Sequence, residues 1–229
     1  PIICVGNIYI GGTGKTPASI FLAKELLSLG KKPVIIRKYY KSHIDEHKLI
    51  KNNFKNLILC KNRIDGIELA KREKYDSIIL DDGFQDYKIK KNFNIVCFHE
   101  NQLIGNGLVL PSGPLRESLG SLNEADIILI NGKKNTSFEK KISYKKKNLQ
   151  FFYSRYLATN IDQFRNKKLL AIAGIGNPDN FFKILNENNL IIEKKLIFPD
   201  HYKFTKSEFI DIANEAKDRK YQIIMTEKD

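Results

Sequence analysis

With 229 residues, of which 42% are hydrophobic and 10% aromatic, the chain has the composition of a folded protein, and disorder is excluded as its default state. The formal charge of +13 comes from 39 basic against 26 acidic residues, mostly Lys, which describes a solvated surface with an attraction to polyanions. Cys4, Cys60 and Cys97 lie in or beside apolar runs without a CxxC spacing, and no run of eighteen apolar residues occurs, so neither a disulfide framework nor a spanning helix is expected.

The apolar run Ile2-Ile3-Cys4-Val5 reads as a buried strand. It is followed by a glycine-rich loop and a helix from about Thr16, in which Ile20, Ala23, Leu26 and Leu27 recur at helical spacing and Gly30 suits the position just past the end. Further strands are expected at Pro33–Ile36, Asn56–Cys60, Ser77–Asp82, Asn94–Phe98 and Asp126–Ile130, with a helix near Ile64–Lys74. Short, wholly apolar strands between helices predict a parallel sheet covered on both faces. From Gly132 to Asn148 the chain turns polar, with lysines at 133, 134, 140, 141, 145, 146 and 147, and a domain boundary is expected there. Beyond it come a strand at Leu169–Ala173, a helix from about Asn177, a strand at Ile191–Ile197, a helix from about Ser207 and a strand at Tyr221–Met225. The expected fold is therefore α/β: a P-loop NTPase-like parallel sheet over residues 1–148 and a smaller α/β domain over 149–229. The start at Pro1 and the stop directly after a strand are read as the ends of a fragment lacking both termini.

Gly11-Gly12-Thr13-Gly14-Lys15-Thr16 is a phosphate-binding loop. Its glycines let backbone N–H groups curl around phosphate oxygens, the next helix presents its positive end, and Lys15 reaches the terminal phosphates. Thr16 supplies a hydroxyl for Mg²⁺. Tyr9 stands where the strict motif has its first glycine, and a longer loop starting at Gly6 accommodates it. A second metal anchor is expected at the end of a buried strand, and Asp81-Asp82 after three aliphatics fits. On these residues alone, another P-loop small-molecule kinase, an ATP-dependent synthetase and a GTPase remain open. For the GTPase, Thr226-Glu227-Lys228-Asp229 has its Lys one place late for guanine reading. Neither an aromatic-basic motif nor a reading helix is present, so nucleic acid is not an expected partner, and no obligate protein partner is evident. The four histidines have no zinc spacing.

Six blocks in order resemble the tetraacyldisaccharide 4′-kinase family: Val5-Gly6-Asn7-Ile8 through Thr16-Pro17; Asp81-Asp82-Gly83-Phe84-Gln85; Gly105-Asn106-Gly107 with Leu110 to Glu117; Ala173 to Pro178; Phe198-Pro199-Asp200-His201; and Thr226 to Asp229. The resemblance implies transfer of the ATP γ-phosphate to the 4′-hydroxyl of an acylated glucosamine disaccharide 1-phosphate at the cytoplasmic face of the bacterial inner membrane. It also implies two α/β domains with the nucleotide between them, and an N-terminal hydrophobic helix that this sequence lacks. The family's Gly-Asp-Glu-Pro block has its counterpart at Ile44-Asp45-Glu46-His47, making Asp45 the expected base. His201 is expected to orient it, and because the two lie in different halves of the chain, catalysis is expected to depend on domain closure. Lys15, Arg116 and Arg63 are expected to neutralise phosphate charge. Glu117 is expected to join Thr16, Asp81 and Asp82 around Mg²⁺, and Gln85 to position substrate or a metal-bound water. The sequence departs from the family pattern at Arg37-Lys38-Tyr39-Tyr40 in place of Ser-Arg-Gly-Tyr, at Asp86 in place of His and at Ser118 in place of Pro. The basic surplus favours an anionic membrane surface by about 1 kcal/mol for each Lys or Arg close to it, with the lysines at 133 to 147 as contributors.

Overall fold

The computed structural model describes all residues except 145, 147, 148 and 159, so part of the basic run and the predicted boundary at 148 lie outside the described residues. Two compact units are present: residues 1–41 with 46–155, and residues 42–45 with 156–229.

In the first unit the strands are β1 (Ile2–Gly6), β2 (Pro33–Lys38), β3 (Leu57–Cys60), β4 (Ser77–Asp81), β5 (Phe93–His99), β6 (Ile127–Asn131) and β7 (Gln150–Ser154). They form one parallel sheet in the order β3-β2-β4-β1-β5-β6-β7. Alternate residues enter opposite layers. Val5, Ile35, Ile79 and Cys97 pack with Ile20 and Ala23 of helix α1 (Lys15–Ser28), whereas Val34, Ile36, Ile78 and Leu80 pack with Ile67 and Ala70 of helix α3 (Arg63–Arg72). Burial on both faces is why these strands read as unbroken apolar runs.

The expected glycine stop is present. Gly30 has φ 76°, its N–H donates to Leu27 O and the Lys31 N–H donates to Leu26 O, the paired bonds of a Schellman end. Two helices have no counterpart in the predicted elements. Helix α2 (Ile44–Asn53) follows β2, and α4 (Thr136–Ser143) lies inside the polar stretch, anchored by buried Phe138 and Ile142 and capped by the Asn135 side chain. The first unit continues to Arg155 and takes in β7, which the composition change placed past the boundary. Phe151 and Tyr153 of β7 are the reason, since both pack on the core under β5 and β6.

Because all seven strands are parallel, Gly6, Lys38, Cys60, Asp81 and Asn131 end at one edge of the sheet. Gly6 is where β1 turns into the loop, and a Cβ there would lie 2.4 Å from the Phe84 Cβ and 3.1 Å from its backbone nitrogen. Gly6→Ala is expected to cost about 1–3 kcal/mol as an overpacked core does, read as a lower urea midpoint at unchanged m-value.

The second unit holds β8 (Lys168–Ala173), β9 (Ile191–Ile197) and β10 (Gln222–Met225) in a parallel sheet ordered β10-β8-β9. Helix α5 (Pro178–Glu187) starts with an Asn177 side-chain cap and Pro178 in its first turn, and α6 (Lys206–Asp218) starts with a Thr205–Glu208 capping box. Among the described residues no helix is long and apolar enough to cross a membrane.

Candidate functional site

The loop between β1 and α1 is held from three sides. The Asn7 side-chain amide donates to Tyr9 O at 2.7 Å and to Thr13 Oγ1 at 2.9 Å. Asn131, at the end of β6, donates to Thr13 O at 3.1 Å, and Gln85 donates to Asn7 O at 2.8 Å. Gly11 and Gly14 take φ of 102° and 88°, conformations that a side chain would strain, so these two glycines bend the loop into the start of α1.

The segment after Pro111 closes the fourth side. Ile10 N–H donates to Pro114 O at 2.9 Å, Arg116 N–H donates to Ile8 O at 2.7 Å, and Tyr9 and Leu115 form an antiparallel bridge. Tyr9 therefore sits in a loop that begins at Gly6 and carries its own strand-like pairing. This gives the Pro-Leu-Arg-Glu block a structural task that a generic phosphate loop would not require.

Charges converge at the start of α1. Asp81 is fully buried at the end of β4, and its carboxylate accepts from Ser19 Oγ at 2.9 Å, from Thr16 Oγ1 at 3.2 Å and from the Arg37 guanidinium. Arg37, itself buried, also donates to Thr16 Oγ1 at 3.1 Å and pairs with Glu46. Asp82, at φ 54°, turns its carboxylate toward Arg116 Nη1 at 2.9 Å and Lys15 Nζ at 3.6 Å. Burial alone would raise the Asp82 carboxyl, but Lys15, Arg116 and Arg37 outweigh it and hold the group below the usual carboxylate range. Burial pushes the Lys15 ammonium down, with Asp82 opposing.

Arg63, buried in the first turn of α3, donates to Asp82 O at 2.6 Å and Asp81 O at 3.2 Å, and lies 3.5 Å from Asp86. It thereby clamps the turn that presents both aspartates. Gln85, expected at substrate or a metal-bound water, spends its amide donor on the loop. Glu117, expected at the metal, accepts from the Tyr87 hydroxyl at 2.6 Å. Among the described residues no group of three or more His, Cys, Asp or Glu is arranged to hold a metal ion, so any cation here depends on the Thr16 hydroxyl and on ligand oxygens as well as carboxylates.

A second cluster lies within the second unit, which includes residues 42–45. His201 Nδ1 is 2.9 and 3.0 Å from the two Asp45 carboxylate oxygens. Lys228 Nζ is 3.4 Å from Asp45 Oδ2 and 2.7 Å from Asp200 Oδ1, and the His43 and His201 rings stack at 4.4 Å with 6° between their planes. Gly174 N–H donates to Asp229 Oδ1 at 2.9 Å. The blocks at 198–201 and 226–229 thus meet around the Asp45 carboxylate, and the block at 173–178 is tied to the last of them through Asp229. The expected pairing of Asp45 with His201 is present, and both residues fall in the second unit.

Sequence reasoning missed Arg37, Ser19 and Asn131. Arg37 is the residue a charge argument would have found, because a basic side chain that follows four buried apolar residues of β2 and is itself buried requires a buried anion.

A model of the tetraacyldisaccharide-1-P 4′-kinase family matches residues 1–229. The tetraacyldisaccharide 4′-kinase of Pelagibacter ubique is 40% identical over 233 residues, covering 99% of this chain and 73% of that protein. That of Francisella tularensis subsp. novicida is 35% identical over 259 residues, covering 100% and 79%. Among solved structures, LpxK from Aquifex aeolicus in complex with ATP superposes with a TM-score of 0.69 at 24% identity, covering 100% of this chain and 78% of that one, a likeness of fold.

Proposed function

The chain belongs to the tetraacyldisaccharide-1-P 4′-kinase family, and we propose that it transfers the γ-phosphate of ATP to the 4′-hydroxyl of a tetraacyldisaccharide 1-phosphate in lipid A biosynthesis. The observation that carries this reading is the union of a generic phosphate loop with a family-specific segment: Arg116 reaches Asp82, which also faces Lys15, while its own backbone pairs with the loop.

In this reading the N–H groups of Gly11 to Thr16 cradle the phosphates, and Lys15 and Arg116 offset the charge that spreads over the transferring group. The donors beside the loop, Thr16 Oγ1 and the carboxylates of Asp81 and Asp82, are all oxygen and so fit Mg²⁺, which prefers such ligands and keeps phosphate oxygens among them. Mg²⁺ bound there would neutralise phosphate charge. Asp45 takes the proton of the 4′-hydroxyl as the bond from its oxygen to phosphorus forms and ADP leaves. A lone carboxylate, with an ordinary pKa of about 3.9, is a weak base. The His201 ring and Lys228 fix its orientation, so that a lone pair is held for the incoming proton. The formal charge of +13 supports a site of action at an anionic membrane surface, where an acylated acceptor resides.

The direct test is incubation of the full chain with ATP, Mg²⁺ and the acylated disaccharide 1-phosphate. A product heavier by one phosphoryl group at the 4′ position is expected. ATP hydrolysis without that product would overturn the reading.

A further inference from the structure

We propose that His43 is a positioning residue for the proton-transfer step: its ring, lying flat on the face of His201, holds that imidazole in the orientation in which Nδ1 meets the Asp45 carboxylate. The proposal rests on the reading of Asp45 as the base and adds the group that keeps its partner in place.

His201 has a backbone φ of 62°, a left-handed conformation that a non-glycine residue keeps only where its surroundings fix it. The edge of its ring is held by acids, with Nδ1 2.9 and 3.0 Å from the two Asp45 oxygens and Nε2 3.7 Å from Asp200 Oδ2. Edge contacts alone are weak against tilting, because the outer torsion of a histidine is broad and soft. Burial does not supply the missing restraint, since the His201 and Asp45 side chains each remain 22% exposed. The plane of the ring therefore needs a contact on its face. His43 provides it, with ring centroids 4.4 Å apart and 6° between the planes. At that spacing His201 cannot turn about its outer torsion without driving a ring edge into His43.

One short segment makes both contacts. His43 ends the 3₁₀ turn Lys41–His43, and Asp45 lies two residues on, in the first turn of α2. The segment thus grips His201 twice, by its edge through Asp45 and by its face through His43. Residues 42–45 belong with the second unit although 41 and 46, on either side, belong with the first. The two contacts with His201 are among those that tie the segment there. The consequence for the reaction is angular. A hydrogen bond weakens steeply as it bends away from linear, so a tilted His201 releases the Asp45 carboxylate to rotate and spoils its aim at the hydroxyl proton.

The test is turnover of the full chain with ATP, Mg²⁺ and the acylated disaccharide 1-phosphate, with ATP affinity and the urea midpoint measured on the same proteins. His43→Ala is expected to lower kcat by about 2- to 10-fold, the range to which a stacked ring pair corresponds, with the KM for each substrate within about twofold of the wild type. His43→Phe keeps a ring without its nitrogens and is expected to restore kcat. His43→Gln keeps hydrogen-bonding groups without a ring and is expected to behave as the alanine variant does, so Phe against Gln carries the same decision if the alanine variant does not fold. In a His201→Ala background His43→Ala is expected to cost nothing further, because the ring it positions is gone. Failure of Phe to restore kcat, rescue by Gln, an equal loss in both backgrounds or a wild-type kcat in His43→Ala would each overturn the positioning role, and the kinase reading stands if Asp45→Asn still loses turnover. An Asp45→Asn variant with wild-type kcat would overturn the base itself and the role of His43 with it.

Discussion

Asp45→Asn is expected to lower kcat by about 10²–10⁴-fold, the usual contribution of a positioned general base, with ATP affinity and the urea midpoint close to those of the wild type. The amide keeps the shape of the carboxylate and an oxygen that still accepts from Lys228 or from the His201 ring, whose Nδ1 lies 2.9 Å away. What disappears is the negative charge that lets the oxygen act as a base. His201→Ala removes the ring that stacks on His43 and faces Asp45, and its expected loss is smaller, because Lys228 still holds the carboxylate. ATP binding by calorimetry beside turnover decides the matter. If either variant loses nucleotide binding together with turnover, the pair is structural and some other group takes the proton.

Much of this was legible from residues alone, and the parts that were not share a cause. The strands around Val5, Ile35, Ile79 and Val96 announce themselves because a parallel sheet buried on both faces leaves no polar position inside. The glycine loop and Asp81-Asp82 follow from what phosphates and cations need at strand ends. Helix α4 and strand β7 were hidden because each commits only a few side chains, Phe138 and Ile142 in one and Phe151 and Tyr153 in the other, to a core built by distant segments. The use of Gln85 was hidden for a similar reason. Its amide nitrogen donates to Asn7 O at 2.8 Å, a residue 78 positions away, and that separation gives no hint of the contact. Asp45 and His201 were paired through the family resemblance, since nothing in the spacing of residues 156 apart predicts contact.

Breaking the Arg37–Asp81 pair is expected to be the costliest single change in the first unit. Both groups are buried, and Asp81 also accepts from Ser19 and Thr16, so Asp81→Ala leaves the guanidinium paired with Glu46 but without its buried partner and leaves two hydroxyls short of an acceptor. Removing one member of a buried pair costs about 3–5 kcal/mol, whereas replacing both by apolar groups of similar volume is often neutral. The double variant Arg37→Met with Asp81→Leu is therefore expected to unfold at a higher urea concentration than Asp81→Ala alone, and the coupling between the two sites to exceed the few tenths of a kcal/mol that separated residues show, about 0.3–0.5. Yet the double variant is expected to remain inactive, because Thr16 keeps its hydroxyl but loses the carboxylate beside it. Recovery of stability without recovery of turnover would assign the pair two separable tasks, one in the fold and one at the phosphate loop. If the double variant is no more stable than the single one, the cost lies in the Ser19 and Thr16 hydrogen bonds rather than in the stranded charge.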